Sequence, residues 1–220
     1  MRCHFLPDRV PVLLESWRRL CQPFAIDLSK IDRVFCDLFR VYSGSDRHYH
    51  NLTHIDRVLE LVGEWKASNI DFPSLQFAAW FHDAIYNPKS SDNEVQSGKY
   101  AASKLAELGI NPDKIDRVIS LISYTQFHQA PTNDLEARIL LDADLAILGS
   151  PSREYQAYAR AIRREYSWLS ESEYRAGRRR VLEQFLQRDR LYFLDIYYAK
   201  FELQARENIH LELVNIDLIP

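Results

Sequence analysis

From Pro73 to Tyr86 the chain reads PSLQFAAWFHDAIY, apolar on nearly every side of a helical wheel. A helix with no polar face must be surrounded by other elements. The rest of the sequence supplies them. In NLTHIDRVLELVGEWKA, Leu52, Ile55, Val58, Leu59 and Val62 form one apolar stripe, with Asp56, Arg57, Glu60 and Glu64 mostly off it. The same spacing predicts helices over roughly Val10 to Cys21 and Lys30 to Tyr42, and over SDNEVQSGKYAASKLAEL, with a cap at Ser91 or Asp92 and an end before Gly109. It recurs in PDKIDRVISLISYTQ, in DLEARILLDADLAILG and in PSREYQAYARAIRREYSWL, where Pro151 suits a first-turn position. SESEYRAGRRRVLEQFLQ carries Ser170 and Glu173 in capping-box spacing, and LDIYYAKFELQARENIHLEL ends the series. Only six glycines and nine prolines interrupt the chain, largely between these segments, and no alternating strand run or internal repeat competes with them. The expected fold class is therefore all-α, and 220 residues fit a single domain.

Charge and cysteine content narrow the function classes. A formal net charge of -3 gives no bulk electrostatic case for nucleic acid or an anionic membrane. Cys3, Cys21 and Cys36 are odd in number, widely spaced and lack a Cys-x-x-Cys pair. That argues against a disulfide framework and a cysteine zinc site, and fits a reducing cytoplasm. The N-terminal MRCHFLPDRVPVLLESWRRL is broken by Pro7, Asp8, Pro11 and Glu15, so no signal-peptide core is expected. No segment approaches membrane-spanning length. The expectation is a soluble, unprocessed, cytoplasmic protein.

Chemistry-bearing residues gather in three places. RHYHNLTHIDRV holds His48, His50 and His54, three of the seven histidines in the chain. If Asn51 caps a helix starting near Leu52, His50 and His54 lie close to its first turn on one side. The second place is His82-Asp83, set inside an otherwise apolar helix, where an unpaired charge costs several kcal/mol unless neutralised or coordinated. The third is LLDADLAILG, whose Asp142 and Asp144 point about 200° apart, so at most one faces a common centre. Two imidazoles and two carboxylates brought together by a bundle suit a divalent cation such as Mn²⁺, Fe²⁺, Co²⁺ or Ni²⁺, or Mg²⁺ with more water ligands. Hydrolysis at phosphorus is the chemistry such an ion favours.

The ordered set His54, His82-Asp83 and Asp144 resembles the H…HD…D signature of the HD-domain superfamily of metal-dependent phosphohydrolases. HYHNLTH, FHDAIYNPKSSDNEVQSG, LLDADLAILG, YARAIRREY and YRAGRRRVL are similar to a bacterial group of predicted HD phosphohydrolases, over about Ser16 to Glu212. The resemblance implies a helical bundle with the metal between helices and a metal-site core over about 45–150, on which helices from 151–220 pack. It also implies His54, His82, Asp83 and Asp144 as ligands and water as nucleophile. Asp144 is chosen over Asp142 by matching ADLAIL to the superfamily's Ala-Asp motif, which leaves Asp142 a supporting or capping role. His50 and Asn51 before His54 further resemble the H-N-x-x-H element of cyclic nucleotide phosphodiesterases, implying His50 as a general acid. His48 is expected to be a solvent-facing loop residue.

Other residues are candidates for completing such a site. Asn93 and Glu94 follow the His-Asp pair closely, Glu94 as a base or second-metal ligand and alternatively as a first-turn acid. His128 is a candidate for a second metal or a substrate phosphate. Arg163, Arg178 and Arg179 are candidates for a phosphate fork, against the alternative of a solvated face paired with Glu165, Glu171, Glu173 and Glu183. The expected activity is hydrolysis of a phosphate monoester or anhydride of a nucleotide or similar small molecule, with Asp83 or Glu94 orienting the water. Phosphodiester cleavage with His50 as acid and a non-catalytic metal-bound regulatory module are the alternatives. The sequence is compatible with an oligomer.

Overall fold

The computed structural model describes residues 9–67 and 69–218, without the side chains of 217 and 218. Cys3 and the first eight residues of the segment read for a signal sequence lie outside them. Among the described residues there are ten α-helices and no strand, so the chain is all-α as its periodicity predicts. No helix among them is long and apolar enough to cross a membrane. The chain divides into two compact units between Leu140 and Leu141.

The first unit contains α1 (Val10–Cys21), α2 (Leu28–Tyr42), α3 (Leu52–Gly63), α4 (Phe72–Phe81), α5 (Asn93–Glu107) and α6 (Pro112–Thr125), and the start of α7 (Leu135–Leu145). The apolar α4 is its centre, in contact with α3, α5 and α6. Leu75, Phe77, Ala78, Ala79, Trp80 and Phe81 are all buried. Trp17 of α1 meets Phe77, Trp80 and Phe81 edge-on, with ring centroids 5.7, 5.6 and 6.0 Å away, a favoured aromatic arrangement. Burying each such side chain contributes about 1.5–3 kcal/mol, which is why this stretch organises the unit. Asp27 caps α2 by accepting from Ser29 N, so that helix starts at Leu28, earlier than its apolar stripe indicates.

The start of α7 is tied into the same unit by charge. Asp134 accepts from Ala137 N at 3.0 Å and from both terminal nitrogens of Arg117 at 2.7 and 2.6 Å. Arg117 also reaches Glu136 at 2.9 Å, and the other Glu136 oxygen accepts from Asp71 N at 3.0 Å, in the residue that caps α4. One guanidinium thus joins α6 to the heads of α7 and α4.

The second unit contains the rest of α7, a 3-10 turn at Ala146–Gly149, then α8 (Ser152–Glu165), α9 (Glu171–Leu186) and α10 (Asp195–Leu218). The predicted capping box is present: Ser170 takes Glu173 N, and the Glu173 side chain returns to Ser170 N. DLEARILLDADLAILG is not one helix, because the α-helix ends at Leu145 and the 3-10 turn brings Gly149 against α10. A Cβ at Gly149 would lie 2.6 Å from both Cβ and the carbonyl oxygen of Phe201. Asn208 of α10 completes the joint by donating to the carbonyls of Leu148 and Ser150 at 2.9 and 2.8 Å.

Two outcomes are expected. Gly149→Ala should destabilise the protein by about 1–3 kcal/mol through overpacking, read as a lower urea midpoint; an unchanged midpoint would show that the joint yields freely. The Asp134 carboxyl is held below its usual range first by the Arg117 hydrogen bond, against the opposing effect of burial. Because its pKa is lowered on folding, the stability from this pair is present above the unfolded aspartate value of about 3.9 and disappears as pH falls through the folded value. Asp134→Asn should therefore cost stability at pH 7 and converge on wild type at the acid end, as measured by urea unfolding across pH.

Candidate metal centre

Each candidate ligand in the first unit is delivered by the end of a helix. Asn51, with an extended backbone, accepts from Thr53 N at 2.9 Å and starts α3 at Leu52, as its sequence predicts. His54 therefore stands in the first turn of α3, with its side chain 2% exposed. The placement of His82 and Asp83 differs from the expectation of a mid-helix pair. α4 stops at Phe81, His82 occupies its C-cap, and Asp83 lies in the turn beyond. Neighbours on a continuing helix diverge by about 100°, whereas the turn lets both side chains approach one point.

The resulting geometry is tight. His54 Nε2 lies 3.1 Å from His82 Nε2, and the Asp83 Oδ2 oxygen is 3.3 Å from the first and 3.2 Å from the second. His82 Nδ1 faces the carbonyl oxygen of Ala79 at 3.0 Å, which can only accept, so Nδ1 carries the proton and Nε2 presents a lone pair to the centre. Burial alone would raise the Asp83 pKa. The surrounding imidazoles of His82, His50 and His54 outweigh it and hold the carboxyl well below the usual carboxylate range. Two imidazole nitrogens and an anionic oxygen so close together need a proton or a cation between them. Ligands about 2.1 Å from one ion are separated by about 3.0 Å in an octahedron and about 3.4 Å in a tetrahedron, and the three observed separations fall within that range. The donor set fits a divalent metal. Asp144, the remaining candidate ligand, lies beyond Leu140 in the second unit, on α7.

Asp142, its neighbour on α7, has a different task. It is fully buried, and its two carboxylate oxygens accept from Phe193 N at 2.7 Å and Leu194 N at 2.8 Å, just before α10. This is the capping role allowed for it. Asp144 is half-buried, and its charge adds to the effect of burial in pushing the Tyr158 hydroxyl up.

The outer residues divide. His50 lies beside the ligands, its ring 6.0 Å from that of His54 and stacked on Tyr86 at 4.0 Å. His48 is exposed, as expected of a loop residue. Glu94 is half-buried in the first turn of α5, while Asn93 exchanges hydrogen bonds with the backbone of Asn87 at 2.8 and 3.0 Å, shaping the loop before that helix. His128 stands three residues past α6 with a left-handed φ of 48°. Glu94 and His128 are not among the three residues whose ligand atoms meet at 3.1–3.3 Å.

The three arginines do not form a fork. Arg163 pairs with Glu171 at 3.1 Å and donates to the carbonyls of Tyr166 and Leu169. Arg178 is buried and bidentate on Glu212 at 2.8 and 3.0 Å. Arg179 lies 3.7 Å from Glu183. Each guanidinium has its own carboxylate, which corrects the phosphate-fork expectation in favour of internal pairing. Arg47 is the residue that sequence reasoning passed over. It donates to the carbonyls of His50, Asp83 and Ala84 at 3.0, 2.6 and 2.7 Å, and nothing in its local pattern marks it.

Replacing Asp142 with Ala leaves two backbone N–H groups without these acceptors. It should cost about 2–4 kcal/mol in urea unfolding, and a smaller loss than Gly149→Ala would show that the amides find other partners.

No family model, no curated protein and no solved structure matches this chain.

Proposed function

We propose that the chain is a metal-dependent phosphohydrolase of the HD-domain type, acting on a phosphate monoester or anhydride of a nucleotide or similar small molecule. The observation that carries this reading is the meeting of His54 Nε2, His82 Nε2 and Asp83 Oδ2 at 3.1–3.3 Å. Asp144 is the fourth ligand in this reading, as the resemblance implies, and Asp142 is engaged elsewhere. Mn²⁺, Fe²⁺, Co²⁺, Ni²⁺ and Mg²⁺ are the metals such nitrogen and oxygen donors suit. A divalent ion bound there supplies a Lewis acid for a phosphoryl oxygen and lowers the pKa of a water.

The chain's own residues set the rest. His82 offers Nε2 because Nδ1 is engaged by Ala79, and Asp83 is anionic at neutral pH, so both are ready as donors. Asp83 also serves to orient water at the centre, with Glu94 as a base from the first turn of α5. His50, stacked on Tyr86 beside His54, is the group nearest to hand for protonating a leaving oxygen. That placement favours phosphodiester cleavage as the second reading. The free cysteines Cys21 and Cys36 accord with a reducing cytoplasm.

The test is metal analysis of the purified protein, followed by a nucleotide and phosphoester panel with Mn²⁺, Mg²⁺, Co²⁺ and Ni²⁺. Wild type should carry metal and turn over a subset of the panel, while His82→Ala and Asp83→Ala should lose metal and more than about 100-fold of the activity. Wild-type protein without metal or activity above these variants would defeat the proposal. Loss of diesterase turnover alone in a His50→Ala variant that keeps metal would select the second reading.

A further inference from the structure

Four side chains form a column beside the candidate metal centre. The Arg47 guanidinium carbon lies 5.1 Å from the Tyr42 ring centroid and 5.7 Å from that of Tyr86, within cation–π range of both. Tyr86 in turn stacks on His50 at 4.0 Å with an interplanar angle of 27°. At the other end of the column, Tyr42 is buried and donates its hydroxyl to the carbonyl oxygen of Trp80 at 2.9 Å.

The column links the two segments that carry the ligands. Arg47 Nη1 is shared between the carbonyl oxygens of His50, just ahead of α3, and Asp83, just past α4, at 3.0 and 2.6 Å. Nη2 takes the next carbonyl, Ala84, at 2.7 Å. The carbonyls at a helix C-terminus carry partial negative charge and lack partners within the helix, so a cation there is favourable. The planar fork reaches the three carbonyls with two nitrogens held at a fixed spacing, whereas a lysine ammonium carries its three N–H donors on a single nitrogen. His54 follows His50 by four residues, and Asp83 carries one of the clamped carbonyls itself. The clamp thus bridges the segments that carry His54 and the His82-Asp83 pair.

We infer that Arg47 and Tyr86 are positioning residues for the metal centre: Arg47 fixes the spacing between the α3 and α4 ligands, and Tyr86 fixes the His50 ring beside them. The inference rests on the metal-centre reading proposed above and goes beyond it in assigning these two residues. Residues that hold ligands in place typically govern metal affinity by about 10–100-fold.

Equilibrium dialysis of the full-length chain against Mn²⁺ alone, well below the melting temperature, tests this with Arg47→Lys, Tyr86→Leu and Tyr86→Phe. Arg47→Lys and Tyr86→Leu should bind Mn²⁺ about 10–100-fold more weakly, whereas Tyr86→Phe, which keeps the stacked ring, should bind like wild type. In the metal-free protein, the upfield ring-current shift that the stacked ring gives the His50 imidazole resonances should persist in Tyr86→Phe and be lost in Tyr86→Leu, leaving the contribution of Tyr49, whose ring meets His50 edge-on at 5.0 Å. Mn²⁺ affinities within twofold of wild type in both Arg47→Lys and Tyr86→Leu overturn the inference and leave the metal centre standing. Weakened binding matched by a loss of helical circular dichroism in both variants also overturns it, since the two residues would then serve the fold alone. A wild type that binds no Mn²⁺ overturns the metal centre and this inference with it.

Discussion

His82 Nδ1 donates to the carbonyl oxygen of Ala79 at 3.0 Å, and that bond decides which side of the ring meets the rest of the site. It exists because α4 stops at Phe81: the C-terminal carbonyls of a helix lack intrahelical donors, and an imidazole at the C-cap can fold back on one of them. With a proton committed there, the Nε2 side of the ring is turned toward His54 Nε2 and Asp83 Oδ2. The crowding of these three atoms is what a bound cation or a shared proton would relieve. The aromatic packing around α4 holds the backbone that makes it.

The helical stripes and the central place of α4 were legible because hydrophobic periodicity reports on which faces are buried, and burial dominates helix placement. Asn51 was legible as a cap because capping is local. The end of α4 was not. FHDAIY continues an apolar pattern with no glycine or proline, and beyond Phe81 the carbonyl of Asp83 goes to Arg47, 36 residues earlier, a partner no local pattern reveals. The roles of Asp142 and Asp144 show the same limit. Helix geometry states that they diverge, but the amides that claim Asp142 lie 51 and 52 residues away.

The arginine-rich region illustrates how composition misleads. Read along the chain, Arg163, Arg178 and Arg179 look like one basic cluster; in the fold, Arg178 is buried and finds the half-buried Glu212, 34 positions on. Tyr155 donates to the same carboxylate at 2.5 Å, and Arg178 lies over the Tyr158 ring at 5.2 Å. Each nitrogen of Arg178 has an acceptor and both Glu212 oxygens are engaged, so removing one partner would strand the other. The pair is part of the internal support of the second unit.

Two carboxylates meet the amides ahead of α10. Glu202 accepts from Leu191 N and Tyr192 N at 2.9 and 3.3 Å, and Asp142 accepts from Phe193 N and Leu194 N at 2.7 and 2.8 Å. Four consecutive N–H groups at the head of a long helix are the kind of cradle that captures phosphate in many nucleotide-binding proteins. Here the chain supplies its own anions to fill it. The amides just ahead of α10, the longest helix among the described residues, are thereby taken by the chain's own carboxylates and are not open to an external anion.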